Sequence, residues 1–222
     1  MATNNNRVLS IDVECVATSY THEDRSPCSV AIVDDQCKII FSSLIKPKEK
    51  VVSDLYPLTG LRIKDLEQAP SLEEVLNQIY PFFDSTTIIV GQSPKNDLKW
   101  LKLEKGVHYS LVIDLSDWFK AYNARYRSIS HHSLAHEAWT LLNIDLNATN
   151  GHLATQDAKA AMQLYIKYKD DESGKQNACS RLLDTQARIT PAKAHNYNYE
   201  GVCLAGYYKK MCRCNRPTLA ND

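Results

Sequence analysis

The feature that most constrains the fold is a change in the spacing of apolar residues along the chain. RVLSIDVE, CSVAIVDD and CKIIFSSLIKP read as three β-strands, the last two joined by a turn at Asp34-Asp35-Gln36. TTIIVG and the start of SLVIDLSDWFKAY are different: short and wholly apolar, as strands buried on both faces are, and each runs into a helical pattern. A strand meander followed by strands alternating with helices predicts an α/β fold built on a mixed sheet.

The helical segments carry their own start signals. PSLEEVLNQIYPFF has Ser71 as N-cap and Glu74 at the capping-box position, with Leu72, Val75, Leu76 and Ile79 at helical spacing. SPKNDLKWLKL is expected to start with Ser93 as cap and Pro94 at the first helical position. SLAHEAWTLL is helical by periodicity, and TQDAKAAMQLYIKYKD is an amphipathic helix with Thr155 as its expected cap. DDESGKQN reads as a linker, and a cysteine-rich tail follows it.

Length and composition bound the rest. A chain of 222 residues, 44% hydrophobic and 23% charged, suits one globular domain with a small appendage. It lacks an apolar run long enough to cross a membrane, and MATNNNRVLS lacks the layout of a secretory signal, so an intracellular protein, nuclear or cytoplasmic, is expected. The formal net charge is zero, which removes any global attraction to polyanions. From Gln186 to Arg216, however, Arg188, Lys193, Lys209, Lys210, Arg213 and Arg216 face one acid, Glu200, with Tyr197, Tyr199, Tyr207 and Tyr208 interleaved. Such a tail can hold a polyanion by charge and stacking, or be a solvated face.

Residues 10–16, SIDVECV, pose a chemical question. Side chains two apart on a strand share a face, so Asp12 and Glu14 project together although like charges repel. An exposed edge strand would explain the pair. Two further acids sit at element ends, where α/β folds place their sites: Asp97 after IIVG, and Asp157 with His152 five residues before it.

The order D-x-E, then an aspartate after an apolar strand and glycine, then H-x4-D, resembles the DEDDh exonucleases of the ribonuclease-H-like fold. SIDVECV, IIVGQSPKNDLKWL and GHLATQDAKAAMQLY are similar to the family's three motifs, and PLTGLRIKDLEQAPSLEEVL to the segment before the second. RSPCSVAIVD and SLAHEAWTLL are similar to connecting segments of the subgroup with the interferon-stimulated exonuclease and RNA exonuclease 4-like proteins. The resemblance implies a five-stranded mixed sheet flanked by helices, with residues 1–170 as the exonuclease domain and 171–222 as linker and tail.

It also implies a chemistry. Converging carboxylates would repel unless cations sat among them, and hard divalent ions with oxygen ligands supply those charges. Two Mg2+ or Mn2+ ions, about 3.5–4 Å apart, would clamp an in-line phosphoryl displacement. By resemblance Asp12 bridges both ions, Glu14 and Asp157 complete one site, Asp97 supports the other through water, and His152 is the general base. The implied reaction releases nucleoside monophosphates from the 3′ end of single-stranded RNA, or of DNA. Val13, Cys15 and the loop residues Gln92, Ser93 and Asn96 would contact substrate, with Lys95 and Lys99 beside them. A catalytically silent nuclease-fold binding or scaffold protein is the rival, and a DNA-directed exonuclease of repair or DNA degradation the third reading. All five catalytic positions are filled, which favours activity.

Of the seven cysteines, Cys15, Cys28 and Cys37 are scattered early, while Cys179, Cys203, Cys212 and Cys214 fall in the last quarter. C-x8-C-x-C is not a common zinc spacing, yet these thiols with His195 upstream make a candidate Cys3His zinc site, with Cys179 as an alternative ligand. Cysteines packed into or exposed on a tail strand are the plainer alternative.

Overall fold

In the computed structural model, residues 7–147, 151, 153–208 and 210–214 are described. Strands β1 (Val8–Ala17), β2 (Arg25–Asp34) and β3 (Ile39–Leu44) form the expected meander. Its second turn closes where Asp34 accepts the backbone N–H groups of Gln36 and Lys38. The chain then crosses through two single-turn helices, α1 (Tyr56–Thr59) and α2 (Ile63–Leu66), into α3 (Leu72–Ile79). Ser71 and Glu74 make the reciprocal capping box their spacing predicts. Strands β4 (Ile88–Gly91) and β5 (Leu111–Asp114) add in parallel on the other side of β1, giving the order β3-β2-β1-β4-β5. The mixed five-stranded sheet flanked by helices is therefore present.

The central strand separates two environments. Leu9, Ile11 and Val13 on one face of β1 pack with Val75, Leu76 and Ile79 of α3. Alternation puts Ser10, Asp12 and Glu14 on the opposite face, toward α7 (Ala154–Tyr168), whose inner surface is small: Ala154, Ala158, Ala160 and Ala161 are buried. Small residues let the helix lie close to the sheet, bringing its first turn within reach of the acids on β1. A register shift between Glu14 and Cys15 interrupts the pairing with β2 just past these acids, and the pairing resumes from Cys15 to Ala17. Such bulges re-aim side chains next to functional sites.

Between β4 and β5 lies α4 (Lys95–Trp100); α5 (Leu115–Trp118) follows β5, and the small hairpin of β6 (Ala121–Asn123) and β7 (Ser128–Ser130) leads to α6 (Leu134–Glu137). The helix continues over Ala138–Leu142 as a wider π-type turn. The expected linker is instead the start of α8 (Glu172–Asp184). Asp171 caps it by accepting the N–H of Gly174, and the polar run is the solvated side of its first turns. Its other side, Ala178 and Leu182, joins the core cluster of Phe119, Leu164 and Tyr168. Short α9 (Pro191–Ala194) and the hairpin of β8 (Asn198–Tyr199) and β9 (Val202–Cys203) carry the chain back over the end of β1. There Val202 and Leu204 pack with Ala17 and Leu55. No helix among the described residues is long and apolar enough to cross a membrane.

Candidate active site

Asp12, Glu14 and Asp157 converge: one carboxylate oxygen from each lies within 4.8 Å of the others. Two come from one strand face and the third from the first turn of α7, where the helix dipole favours an acid. Thr155 is not that helix's cap; the helix begins at Ala154 after an extended Leu153 with no side-chain cap. Burial, then the charges of Asp157, Glu14 and Asp97, push the Asp12 carboxyl well above its usual range. Burial, then Asp157 and Asp97, do the same to Glu14. Carboxylates gathered this closely repel one another unless cations sit among them, and their all-oxygen donors fit a hard divalent ion.

Asp97 stands just outside the trio. Burial raises its carboxyl to about 7, although its own N–H and that of Val13 donate to it and Asp114 adds repulsion. It is aimed by a tight β4–α4 turn. A Cβ on Gly91 would come 2.8 Å from the Pro94 side chain, so that position needs glycine. Ser93 does not cap the helix: its backbone sits at φ 52°, its N–H donates to Asp114 at 2.9 Å, and Pro94 occupies the cap position. Asp114 also caps α5 through Ser116. This acid, which fixes the turn leading into the helix of Asp97, is not among the sequence-derived site residues; an aspartate ending an apolar strand just before a helix is its signal, and that strand, expected to be buried on both faces, is instead the partly exposed edge of the sheet.

A cleft of about 780 Å³ opens over the acids. Of the residues named for substrate contact and the lysines beside them, Val13, Cys15, Asn96 and Lys99 line the cleft, whereas Gln92, Ser93 and Lys95 do not. Gln92 points inward, donating to the His132 carbonyl at 2.9 Å and to buried Glu137 at 3.1 Å. The Cys15 thiol is pushed up to about 12 by burial, which makes it an inert wall rather than a nucleophile.

His152 lies outside the described residues. The chain before it is fixed by backbone contact, because a Cβ on Gly151 would meet the Gly60 nitrogen at 2.0 Å. Gly151 (φ 99°) and Gly60 (φ 64°) thus lock the third motif to the PLTGL segment.

The cysteine cluster forms with a different histidine from the one expected. Cys203, Cys212 and Cys214 do come together, but with His22 from the β1–β2 loop. His195 is elsewhere, its ring edge-on to Tyr199 at 5.1 Å. Cys179 faces the Trp118 carbonyl at 3.5 Å. Nothing in the spacing pointed to His22, which is 181 residues from Cys203.

Comparison with known proteins agrees with this geometry. Residues 9–165 match the family model described as exonuclease. Mouse (Mus musculus) RNA exonuclease 4 is 29% identical over 184 residues, covering 82% of this chain and 41% of that protein. Small RNA degrading nuclease 2 of Arabidopsis thaliana is 30% identical over 171 residues, covering 74% of this chain and 36% of the relative. The chain thus spans well under half the length of these relatives. The Saccharomyces cerevisiae Pan2 module solved in complex with AAGGAA RNA shares the fold with a TM-score of 0.66 at 16% identity, over 89% of this chain and 34% of that one. The Neurospora crassa Pan2 catalytic unit gives 0.63 at 21%, over 82% and 30%. With three of its motif acids gathered at one point and a family match over most of its length, the chain belongs to the DEDDh exonuclease family, in the subgroup of RNA exonuclease 4-like proteins.

Proposed function

We propose that this chain is a 3′→5′ exonuclease that releases nucleoside monophosphates from single-stranded RNA with two divalent ions, Mg2+ or Mn2+. The observation that carries it is the convergence of Asp12, Glu14 and Asp157 on the floor of a cleft large enough for a terminal nucleotide. The names of the relatives, RNA exonuclease 4 and small RNA degrading nuclease, support RNA as the polymer. Bound among these oxygens, divalent ions would acidify the attacking water and neutralise charge on the scissile phosphate.

The chain's own residues do the rest. Asp12, Glu14 and Asp157 would hold the ions, with Asp97, set by Val13 and the Asp114-braced turn, as a further carboxylate beside them. His152 accepts the proton of the attacking water at a ring nitrogen, as a histidine general base does. Asn96 and Lys99 meet the sugar-phosphate backbone from the α4 side.

The test is a degradation assay on RNA and DNA of one sequence, labelled at the 3′ or the 5′ end, in magnesium, manganese or EDTA. Metal-dependent shortening from the 3′ end, lost in Asp12→Ala and His152→Ala, supports the proposal. Intact strands with retained binding would make the protein a nucleic-acid-binding relic. Preferential loss of DNA would move the substrate.

A further inference from the structure

We propose that His22, Cys203, Cys212 and Cys214 form a zinc site that staples the C-terminal segment to the exonuclease domain beside the catalytic strand. The donor atoms already outline a tetrahedron. His22 Nδ1 lies 3.1 Å from the Cys214 sulfur, 3.5 Å from that of Cys212 and 3.7 Å from that of Cys203. Cys212 and Cys214 sulfurs are 3.3 Å apart, and Cys203 and Cys212 sulfurs 4.0 Å. Zinc–sulfur bonds of about 2.3 Å in tetrahedral geometry require sulfur–sulfur edges of about 3.8 Å. A disulfide needs about 2.05 Å, so these thiols are gathered without being bonded.

The ligands arrive from three separate segments, each positioned by contacts of its own. His22, buried at 5% exposure, sits in the loop between β1 and β2. Cys203 is set against that loop by its N–H, which donates to the Tyr20 carbonyl at 2.9 Å. The Arg25 guanidinium donates to the Cys203 carbonyl at 2.9 Å. Cys212 is turned back by its N–H bond to the Tyr208 carbonyl. Three thiolates on one Zn2+ leave a net negative charge, and Arg25 is the adjacent cation that offsets it, as outer-shell partners of metal sites do.

The consequence lies in the nine-residue step from Cys203 to Cys212, which carries Tyr207 and Tyr208. Both tyrosines and His22 line the same cleft as Asp12, Glu14 and Asp157. Tyr207 is 57% exposed and Tyr208 packs its ring on Tyr197 at 4.7 Å. The staple therefore holds an aromatic wall opposite the acids, where a base of the substrate strand would stack. This substrate role rests on the exonuclease reading; the zinc site does not.

The experiment measures metal content of the full chain after purification without added zinc and exchange through EDTA. About one zinc per chain is expected in wild type, His195→Ala and Asp12→Ala, with at least a tenfold loss in His22→Ala and in Cys212→Ser/Cys214→Ser. Wild type with no zinc, or zinc kept by both ligand variants, overturns the proposal. Cobalt substitution of the wild-type protein makes the test independent of whether a variant folds. Thiolate-to-cobalt charge transfer with tetrahedral ligand-field bands supports the site, and their absence overturns it. If zinc is present but Tyr207→Ala leaves KM for RNA unchanged, the staple stands and the stacking role falls.

Discussion

Replacing Asp97 by asparagine should make the metal-free protein more stable while abolishing its use of metal. The Asp97 carboxyl titrates near 3.8 in an unfolded chain and is raised to about 7 in the fold, chiefly by burial. The unfolded chain therefore releases this proton first as pH rises, and the fold loses stability between about pH 4 and pH 7. The gap corresponds to about 4 kcal/mol as an upper figure, because the site opens on a water-filled cleft. Asparagine cannot ionise, yet its carbonyl oxygen still accepts the N–H groups of Val13 and residue 97. In EDTA at pH 8, Asp97→Asn should melt higher than wild type, by up to about 8 °C for a chain of this size. At pH 4 the two should nearly coincide, since the folded Asp97 is then neutral and most of the shift has not yet been expressed. With magnesium at pH 8 the advantage should shrink or reverse, because ions bind the folded wild type. Thermal melts across pH, with and without EDTA, read all of this. An equal or lower melting temperature for Asp97→Asn in EDTA at pH 8, or a gain that persists undiminished at pH 4, would refute the reasoning.

Gly151→Ala places a Cβ on the Gly60 backbone and strains a φ of 99°; it should cut kcat at least tenfold as the loop entering His152 shifts, while circular dichroism stays native. Gln92→Ala removes a donor from Glu137, which is fully buried. It should cost about 1–3 kcal/mol in denaturant unfolding and leave KM for RNA unchanged, because Gln92 faces away from the cleft. Leu182→Ala, at 1% exposure in α8, should cost about 2–5 kcal/mol. A cost below 0.5 kcal/mol would show that α8 is not part of the cooperative core.

What the sequence disclosed depended on how far apart the interacting residues lie. The D-x-E pair was legible because a strand's period of two is local, and the Ser71–Glu74 box because a cap acts within one turn. Ser93 misled: a serine before proline looks like a cap, but here its backbone takes the left-handed turn that lets Asp114 hold the loop, a contact spanning 21 residues. The 170–177 segment misled because half of a surface helix is polar, and only the buried side of α8 reveals its place. Gln92 was read from its neighbours in the motif, yet its amide is spent on Glu137, 45 residues later. His195 was chosen for its nearness in sequence to the thiols, whereas His22 is chosen by the fold, which returns β9 to the loop after β1.

The most direct measurement is anomalous diffraction from crystals grown with manganese and a nucleoside monophosphate. Two manganese peaks are expected among the carboxylates of Asp12, Glu14 and Asp157, with Asp97 beside one of them and the phosphate between protein and ions. No anomalous peak among these carboxylates, under conditions where the crystals or solution degrade RNA, would contradict the two-ion reading.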